Sequence, residues 1–229
     1  MTFAATILST KMLKRGLTDK ATAYGLDIIE RSFIQTTAIP FSYSEKEPAA
    51  CFVFTSSNAV KSVLASGISF QSKKMASTSG ETRKLLNENN ITVDFEGHDA
   101  KSLADKLIEA KVTSVVFFCG NIHRDELPEK LKASNIKVEE IIVYETTLTP
   151  AALNEPFDAI LFFSPSAVDS FLINNRVADN TICFCIGHTT SNHLASKTKA
   201  TIHIAATPSQ EKLIDQLINY YTHQVHVEK

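Results

Sequence analysis

The stretch "FVFTSSNAVKSVL" runs from Phe52 to Leu64, and the chain repeats it almost word for word at Ile160–Leu172 as "ILFFSPSAVDSFL". The two align without a gap at an offset of 108 residues, with identities at Phe54/Phe162, Ser56/Ser164, Ala59/Ala167, Val60/Val168, Ser62/Ser170 and Leu64/Leu172. Each copy reads as an apolar strand, a small hydroxyl-rich turn and the start of a helix. The correspondence continues. "KMASTSGETRKLL" (Lys74–Leu86) lies over "ICFCIGHTTSNHL" (Ile182–Leu194), again at 108. At 110, "SLADKL" (Ser102–Leu107) lies over "KLIDQL" (Lys212–Leu217) within "EKLIDQL", and "GLDIIERSFI" (Gly25–Ile34) over "NIKVEEIIVY" (Asn135–Tyr144). A period of this size indicates a duplicated domain, being too long for a solenoid repeat.

Within each copy, strands alternate with helices. "SVVFFC" (Ser114–Cys119) reads as a buried strand, with Asp125 as the cap of the next helix, Pro128 in its first turn and Asn135 at its end. In the first copy, "ATILST" is a strand, a helix starts near Thr18 and stops at Gly25, and "LDIIERSFI" is read as one further strand. This alternation predicts two similar flavodoxin-like, doubly wound parallel sheets of five strands each. Sheets of this kind bind ligands at the carboxyl ends of their strands. The turns "TSSNAV" and "SPSAV" fall there. Their Ser hydroxyls and the backbone N–H groups of the helix starts suit an anionic ligand; the plain alternative is that Ser57 and Ser166 only cap helices.

Bulk composition narrows the function. The 229 residues are 44% hydrophobic and 21% charged with net charge -2, which is ordinary for a globular protein and gives no overall basic bias toward nucleic acid. The apolar runs are strand-sized, the start lacks a signal-peptide pattern, and the expectation is a cytoplasmic protein without a membrane span. Cys51, Cys119, Cys183 and Cys185 sit in apolar runs. Cys183-Phe184-Cys185 with His188 misses the usual zinc spacings, and alternate residues of a strand share a face, so buried free thiols are expected. His188 and His193 do not share a helical face cleanly, and no metal site is expected. No glycine-rich phosphate loop, nucleophile elbow or HExxH is present. From such motifs alone, the chain reads as a two-domain α/β protein with a hydroxyl-lined cleft.

The order of six segments carries a closer reading: "FTSSNAV", "FFCGNIHRDELPEKL", "VEEIIVYETT", "FSPSAVDSFL", "IGHTTSNHL" and "AATPSQEKLIDQL". Together they resemble the uroporphyrinogen-III synthase family, most specifically in "CGNxxRxxLP" followed by "VYxT". The resemblance departs where the family's first strand ends in Thr-Arg-Pro; here it reads Thr10-Lys11-Met12, which keeps a charge but loses the guanidinium fork. Ser79 stands where the family tends to carry Gly.

The resemblance implies a crossover arrangement: residues 1–35 plus 149–229 in one domain, 36–148 in the other, joined by the strands "SFIQTTAI" and "IIVYETTL". It implies a monomeric hydro-lyase of tetrapyrrole (heme) biosynthesis whose partner is a small linear tetrapyrrole, hydroxymethylbilane, and which uses no cofactor, nucleic acid or membrane. It also implies a catalytic role for Tyr144. Substrate carboxylates would be held by Thr55, Ser56, Ser57 and Asn58, by Ser79 and Thr82, and by Gly120, Asn121 and Arg124. On the other domain the donors are Thr10 and Lys11, Ser164 and Ser166, and Gly187, Thr189 and Thr190. A non-catalytic cytosolic sensor of an anionic ligand, built from the same two lobes, is the alternative.

Overall fold

A computed structural model of the chain describes residues 4–44 and 51–225. The ends of the expected domains, at residues 1–3 and 226–229, lie outside the described residues. The chain first runs β1 (Ala5–Ser9), α1 (Leu17–Thr22), β2 (Leu26–Glu30) and β3 (Ile34–Ala38). It continues through β4 (Cys51–Phe54), α2 (Ser57–Ser66), β5 (Met75–Thr78), α3 (Glu81–Glu88), β6 (Phe95–Gly97) and α4 (Ala100–Glu109). Then follow β7 (Ser114–Gly120), α5 (Glu126–Ala133) and β8 (Lys137–Leu148). The last part is β9 (Ala159–Phe162), α6 (Pro165–Asn174), β10 (Ile182–Cys185), α7 (His188–Ala195), β11 (Ile202–Ile204) and α8 (Gln210–Val225).

The chain divides into two compact units, one comprising the residues up to Gln35 with those from Thr147 onward, the other Thr36–Thr146. The division falls inside β3 and inside β8. These strands are neighbours in sheet order. Thr149 N–H donates to Phe33 O at 2.9 Å and Ile39 N–H to Val143 O at 3.2 Å, so the two run in opposite directions.

The first unit holds a parallel sheet in the order β11-β10-β9-β1-β2. The second holds β3-β8-β7-β4-β5-β6, parallel from β8 to β6. Read along the chain, the first unit has the flavodoxin-like order, whereas the second, β6-β5-β4-β7-β8, takes that order only when its last pair, β7–β8, is counted first. They differ in where the chain enters: the pair β7–β8 comes last in the second unit, whereas its counterpart β1–β2 comes first in the other. This places the same fold at offsets of 108 and 110 from opposite directions of the chain.

Alternation along each strand explains the layers. In β4, Phe52 and Phe54 face α2 and α3 with Ala59, Val60, Val63 and Leu86. Cys51 and Val53 face the other way, against Leu103, Ala104 and Leu107 of α4 and Leu127 and Leu131 of α5. Both faces are covered, so the strands are apolar throughout. Phe118 stacks on Phe54 at 5.2 Å and meets Phe52 edge-on at 5.0 Å. Each fully buried Phe contributes roughly 1.5–3 kcal/mol of burial free energy. In the first unit, Leu8, Ile160, Phe162, Cys183 and Cys185 pack with Ala167, Val168 and Phe171 of α6 and Leu194 of α7. The opposite face meets α1 and α8 through Leu17, Ala21, Leu213, Ile214 and Leu217. Cys183 and Cys185 thus share one buried face, and burial pushes both thiols up to about 12.

Three local expectations need correction. "LDIIERSFI" is not one strand: pairing with β1 ends at Glu30, and β3 starts at Ile34, because at Arg31–Phe33 the chain leaves β1 to reach β8. Asp125 occupies the cap position of α5 without a side-chain cap bond, being already in helical geometry. The helix caps of the repeated turns are Ser56 and Ser164, one and two residues before the serines expected. Pro128 does lie in the first turn of α5, and Asn135 takes a left-handed φ of 59 just past it.

α5 is tied to β8 by Lys132 Nζ donating to Glu140 Oε1 at 2.7 Å, while His123 Nε2 lies 3.0 Å from Glu140 Oε2. Burial pushes the Glu140 carboxyl up, but the Lys132 and His123 hydrogen bonds and charges outweigh it and hold it below its ordinary 4.5. A lowered carboxyl stabilises the fold above its ordinary value and loses that contribution as pH falls through the folded value. The stability advantage of the parent over Glu140→Gln, from urea melts, is expected to be complete near neutrality and to shrink below pH 4.5. An advantage independent of pH down to about pH 3 would show that the carboxylate charge is not involved.

Candidate active site

In a parallel sheet, every turn from a strand into the following helix emerges at the carboxyl edge. The expected donors other than Tyr144 lie in such turns, at the strand end before one (Gly120), or in the first turn of the helix after one. The strand order reverses at one place in each unit, between β7 and β4 and between β1 and β9, and it is at such a reversal that doubly wound sheets take their ligands.

In the second unit, β4 delivers Thr55-Ser56-Ser57-Asn58, all half-buried. Ser56 caps α2 from an extended backbone (φ −140, ψ 135), and its Oγ accepts from Asn58 N–H at 3.2 Å. Tyr144, on β8, is 8% exposed and its hydroxyl donates to the same Ser56 Oγ at 3.2 Å. Its ring lies against the backbone of Gly120, the last residue of β7: a Cβ there would sit 2.5 Å from both Cε2 and Cζ of Tyr144. A bulge in the β7–β8 ladder, where Cys119 pairs with Ile142 and Gly120 with Tyr144, turns the ring onto that glycine. The structure therefore brings together Ser56, Gly120 and Tyr144 from three separate segments.

Other expected donors of this unit are engaged or placed further out. Asn121 uses its side chain as a backbone mimic: Oδ1 accepts from Thr146 N–H at 2.7 Å and from Ile122 N–H at 2.9 Å, and Nδ2 donates to Thr146 O at 3.3 Å. Thr82 is buried, its Oγ1 3.5 Å from Thr78 Oγ1. Ser79 is exposed one strand away, after β5, with its N–H given to Gly97 O at 2.8 Å. Arg124 is exposed in the turn before α5.

In the first unit the matching turn holds Ser164, which caps α6 and accepts from Ala167 N–H at 3.1 Å, with Ser166 Oγ at 3.0 Å. Thr10 is buried and donates through Oγ1 to Leu161 O at 2.8 Å, closing the edge of β9. Lys11 is exposed, and its carbonyl accepts from Ser9 Oγ at 2.6 Å. This turn is fastened to α8 through Lys14 N–H to Gln210 Oε1 at 2.8 Å and Lys14 Nζ to Glu211 at 3.1 Å. One strand further out, Gly187 caps α7, Thr189 is exposed and Thr190 is buried. His193 bonds Asp169 at 2.8 Å. No group of metal-binding side chains occurs among the described residues.

Two residues not expected from the sequence stand out. Met12 and Ile122 are exposed at 58% and 52%, and at an offset of 110 they occupy one position of the repeat. A large apolar side chain in each of two polar turns was the available signal.

Burial pushes the Tyr144 phenol above its ordinary 10.0, against the opposing pull of the Ser56 hydrogen bond. It is therefore a neutral donor at physiological pH. The ultraviolet alkaline titration of the parent minus that of Tyr144→Phe is expected to show one phenol ionising above 10.0. A difference curve centred below that value would mean an open or charge-assisted phenol.

Solved structures with the same fold include uroporphyrinogen-III synthetase from Helicobacter pylori, at TM-score 0.68 and 19% identity over 94% of this chain and 99% of that one. A mutant uroporphyrinogen III synthase from Thermus thermophilus is similar at TM-score 0.67 and 12% identity over 96% of this chain and 100% of that one. Among curated proteins, none matches the sequence at a significant level. The family profile described as "Uroporphyrinogen-III synthase HemD" matches residues 16–215. This chain therefore belongs to the uroporphyrinogen-III synthase family, lyases of heme biosynthesis.

Proposed function

We infer that the protein closes hydroxymethylbilane into uroporphyrinogen III, inverting ring D and releasing water. The family match across residues 16–215 carries this reading. No observation favours the non-catalytic sensor. The chemistry asks for positioning more than for activation. A pyrrole pushes out its own hydroxyl to give a stabilised azafulvene cation, and unaided closure gives the uninverted isomer. The protein has to hold the chain so that the substituted carbon of ring D attacks, through a spiro intermediate.

Hydroxyls and helix-start N–H groups at the carboxyl edges suit the carboxylates of such a substrate. In this reading the holders are Thr55, Ser57, Asn58, Ser79 and Arg124 on one domain. On the other they are Lys11, Ser164, Ser166, Gly187 and Thr189. Gly120 and Asn121 shape their turn, while Thr10, Thr82 and Thr190 hold theirs from within. Tyr144 is the proton source for the departing hydroxyl. The reading treats the two compact units as the two domains, and the protein as a cytosolic monomer needing no cofactor, since neither redox chemistry nor group transfer from a carrier is involved. Among the described residues, no helix is long and apolar enough to cross a membrane.

The test is the product isomer from freshly prepared hydroxymethylbilane. The parent is expected to give type III; type I alone would refute the reading. Tyr144→Phe should keep the fold and tetrapyrrole binding but lower the type III rate by about 10²-fold, the low end for general acid assistance. A parent-like rate at saturation would make Tyr144 a strand residue only.

A further inference from the structure

The Tyr144 hydroxyl does not point at open space. It is buried, and its hydrogen is given to Ser56 Oγ at 3.2 Å. That oxygen also accepts from Asn58 N–H at 3.2 Å. A serine oxygen has two acceptor sites and one hydrogen. With both acceptor sites filled, Ser56 can act toward a further partner only as a donor, and its hydrogen is turned away from Tyr144 and Asn58. Among the described residues no acceptor takes it. Ser56 is the half-buried member of the pair, at the turn where the strand order reverses.

The duplication supplies an internal comparison. At an offset of 108, Ser56 corresponds to Ser164; at 110, Gly120 corresponds to Thr10 and Tyr144 to Ile34. The first unit keeps the capping serine but has no phenol behind it and no glycine for a ring to rest on. There, Ser164 Oγ meets Ser166 Oγ at 3.0 Å and Ala167 N–H at 3.1 Å. The cap is thus common to both units, while the phenol and its glycine seat occur only in the second.

We propose that Ser56, rather than Tyr144, is the group that donates to the leaving hydroxyl, and that Tyr144, seated on Gly120, is a positioning residue acting through it. The proposal deepens the synthase reading and rests on it. The C–O bond of the hydroxymethyl group breaks with its electron pair going to oxygen. The Ser56 hydrogen passes to that oxygen, water leaves, and the Tyr144 proton moves to Ser56 Oγ. The ring proton released when the last pyrrole regains aromaticity after closure returns to the phenolate. No oxidant or further reactant enters.

A double-mutant cycle with fresh hydroxymethylbilane tests this. Tyr144→Phe and Ser56→Ala are each expected to lower kcat by about 10²-fold, and the double variant also by about 10²-fold, because both act on one proton path. Ser56→Thr, which keeps the hydroxyl, should restore most of kcat. Gly120→Ala should reproduce the Tyr144→Phe kinetics, since its methyl displaces the ring. If Ser56→Ala folds poorly, Ser56→Gly removes the hydroxyl at a smaller capping cost. Losses that multiply to about 10⁴-fold in the double variant would mean that Tyr144 reaches the substrate directly, and the proposal fails. It fails equally if Ser56→Ala raises KM with kcat kept, because Ser56 then only holds a carboxylate. The synthase reading fails separately, by the absence of type III product from the parent.

Discussion

The pairing of β4 with β7, and its counterpart β9 with β1, is the constraint on which the rest depends. Parallel neighbours cannot be joined by a hairpin, so each strand hands the chain to a helix that crosses back over one face. At the central pair the crossings go opposite ways: α2 and α3 lie over one face of the second unit, α4 and α5 over the other. The two turns leaving that pair consequently part, and the backbone N–H groups of the next helix starts are left to be satisfied from outside the helix. Ser56 and Ser164 answer that demand as caps. The need for a cap thus puts a hydroxyl where a ligand of a doubly wound sheet sits.

Duplication then allows the two copies to diverge at little structural cost. Both units need apolar strands with alternating faces, and both need a capping serine. Neither need fixes what lies behind the cap. In the first unit, Thr10 closes the strand edge with a bond to Leu161 O. In the second, Gly120 leaves that space empty of side chain, the β8 bulge follows, and Tyr144 fills it. A glycine here is explained by close approach of a ring, since its backbone shows no left-handed φ.

Much of this is legible in the chain. Fully apolar runs such as Ser114–Cys119, separated by helix starts, indicate a covered parallel sheet, and the repeat identifies which turns are equivalent. The shared face of Cys183 and Cys185 follows from strand periodicity. Other features are not legible, for reasons of physics. Which serine caps a helix depends on the residue at which the backbone turns helical, and in "TSSN" and "SPSA" either serine satisfies the local pattern. The break at Arg31–Phe33 carries no glycine or proline, because it is imposed by the jump from one sheet to the next. The contact of Tyr144 with Ser56 joins residues 88 apart in sequence, and no local rule anticipates it. Asn121 reads as a free donor, yet its amide is spent on the backbone of Thr146.

The central claim is that one fold, written twice, does its chemistry in the second copy and only holds substrate in the first. Steady-state kinetics of Ser56→Gly beside Ser164→Gly test it most directly. Glycine replaces a capping serine at a cost of only a few tenths of a kcal/mol, about equal in the two units, so stability drops out of the comparison. The account predicts that Ser56→Gly lowers kcat, whereas Ser164→Gly raises KM and leaves kcat near the parent value. Equal effects on kcat at the two serines would contradict it.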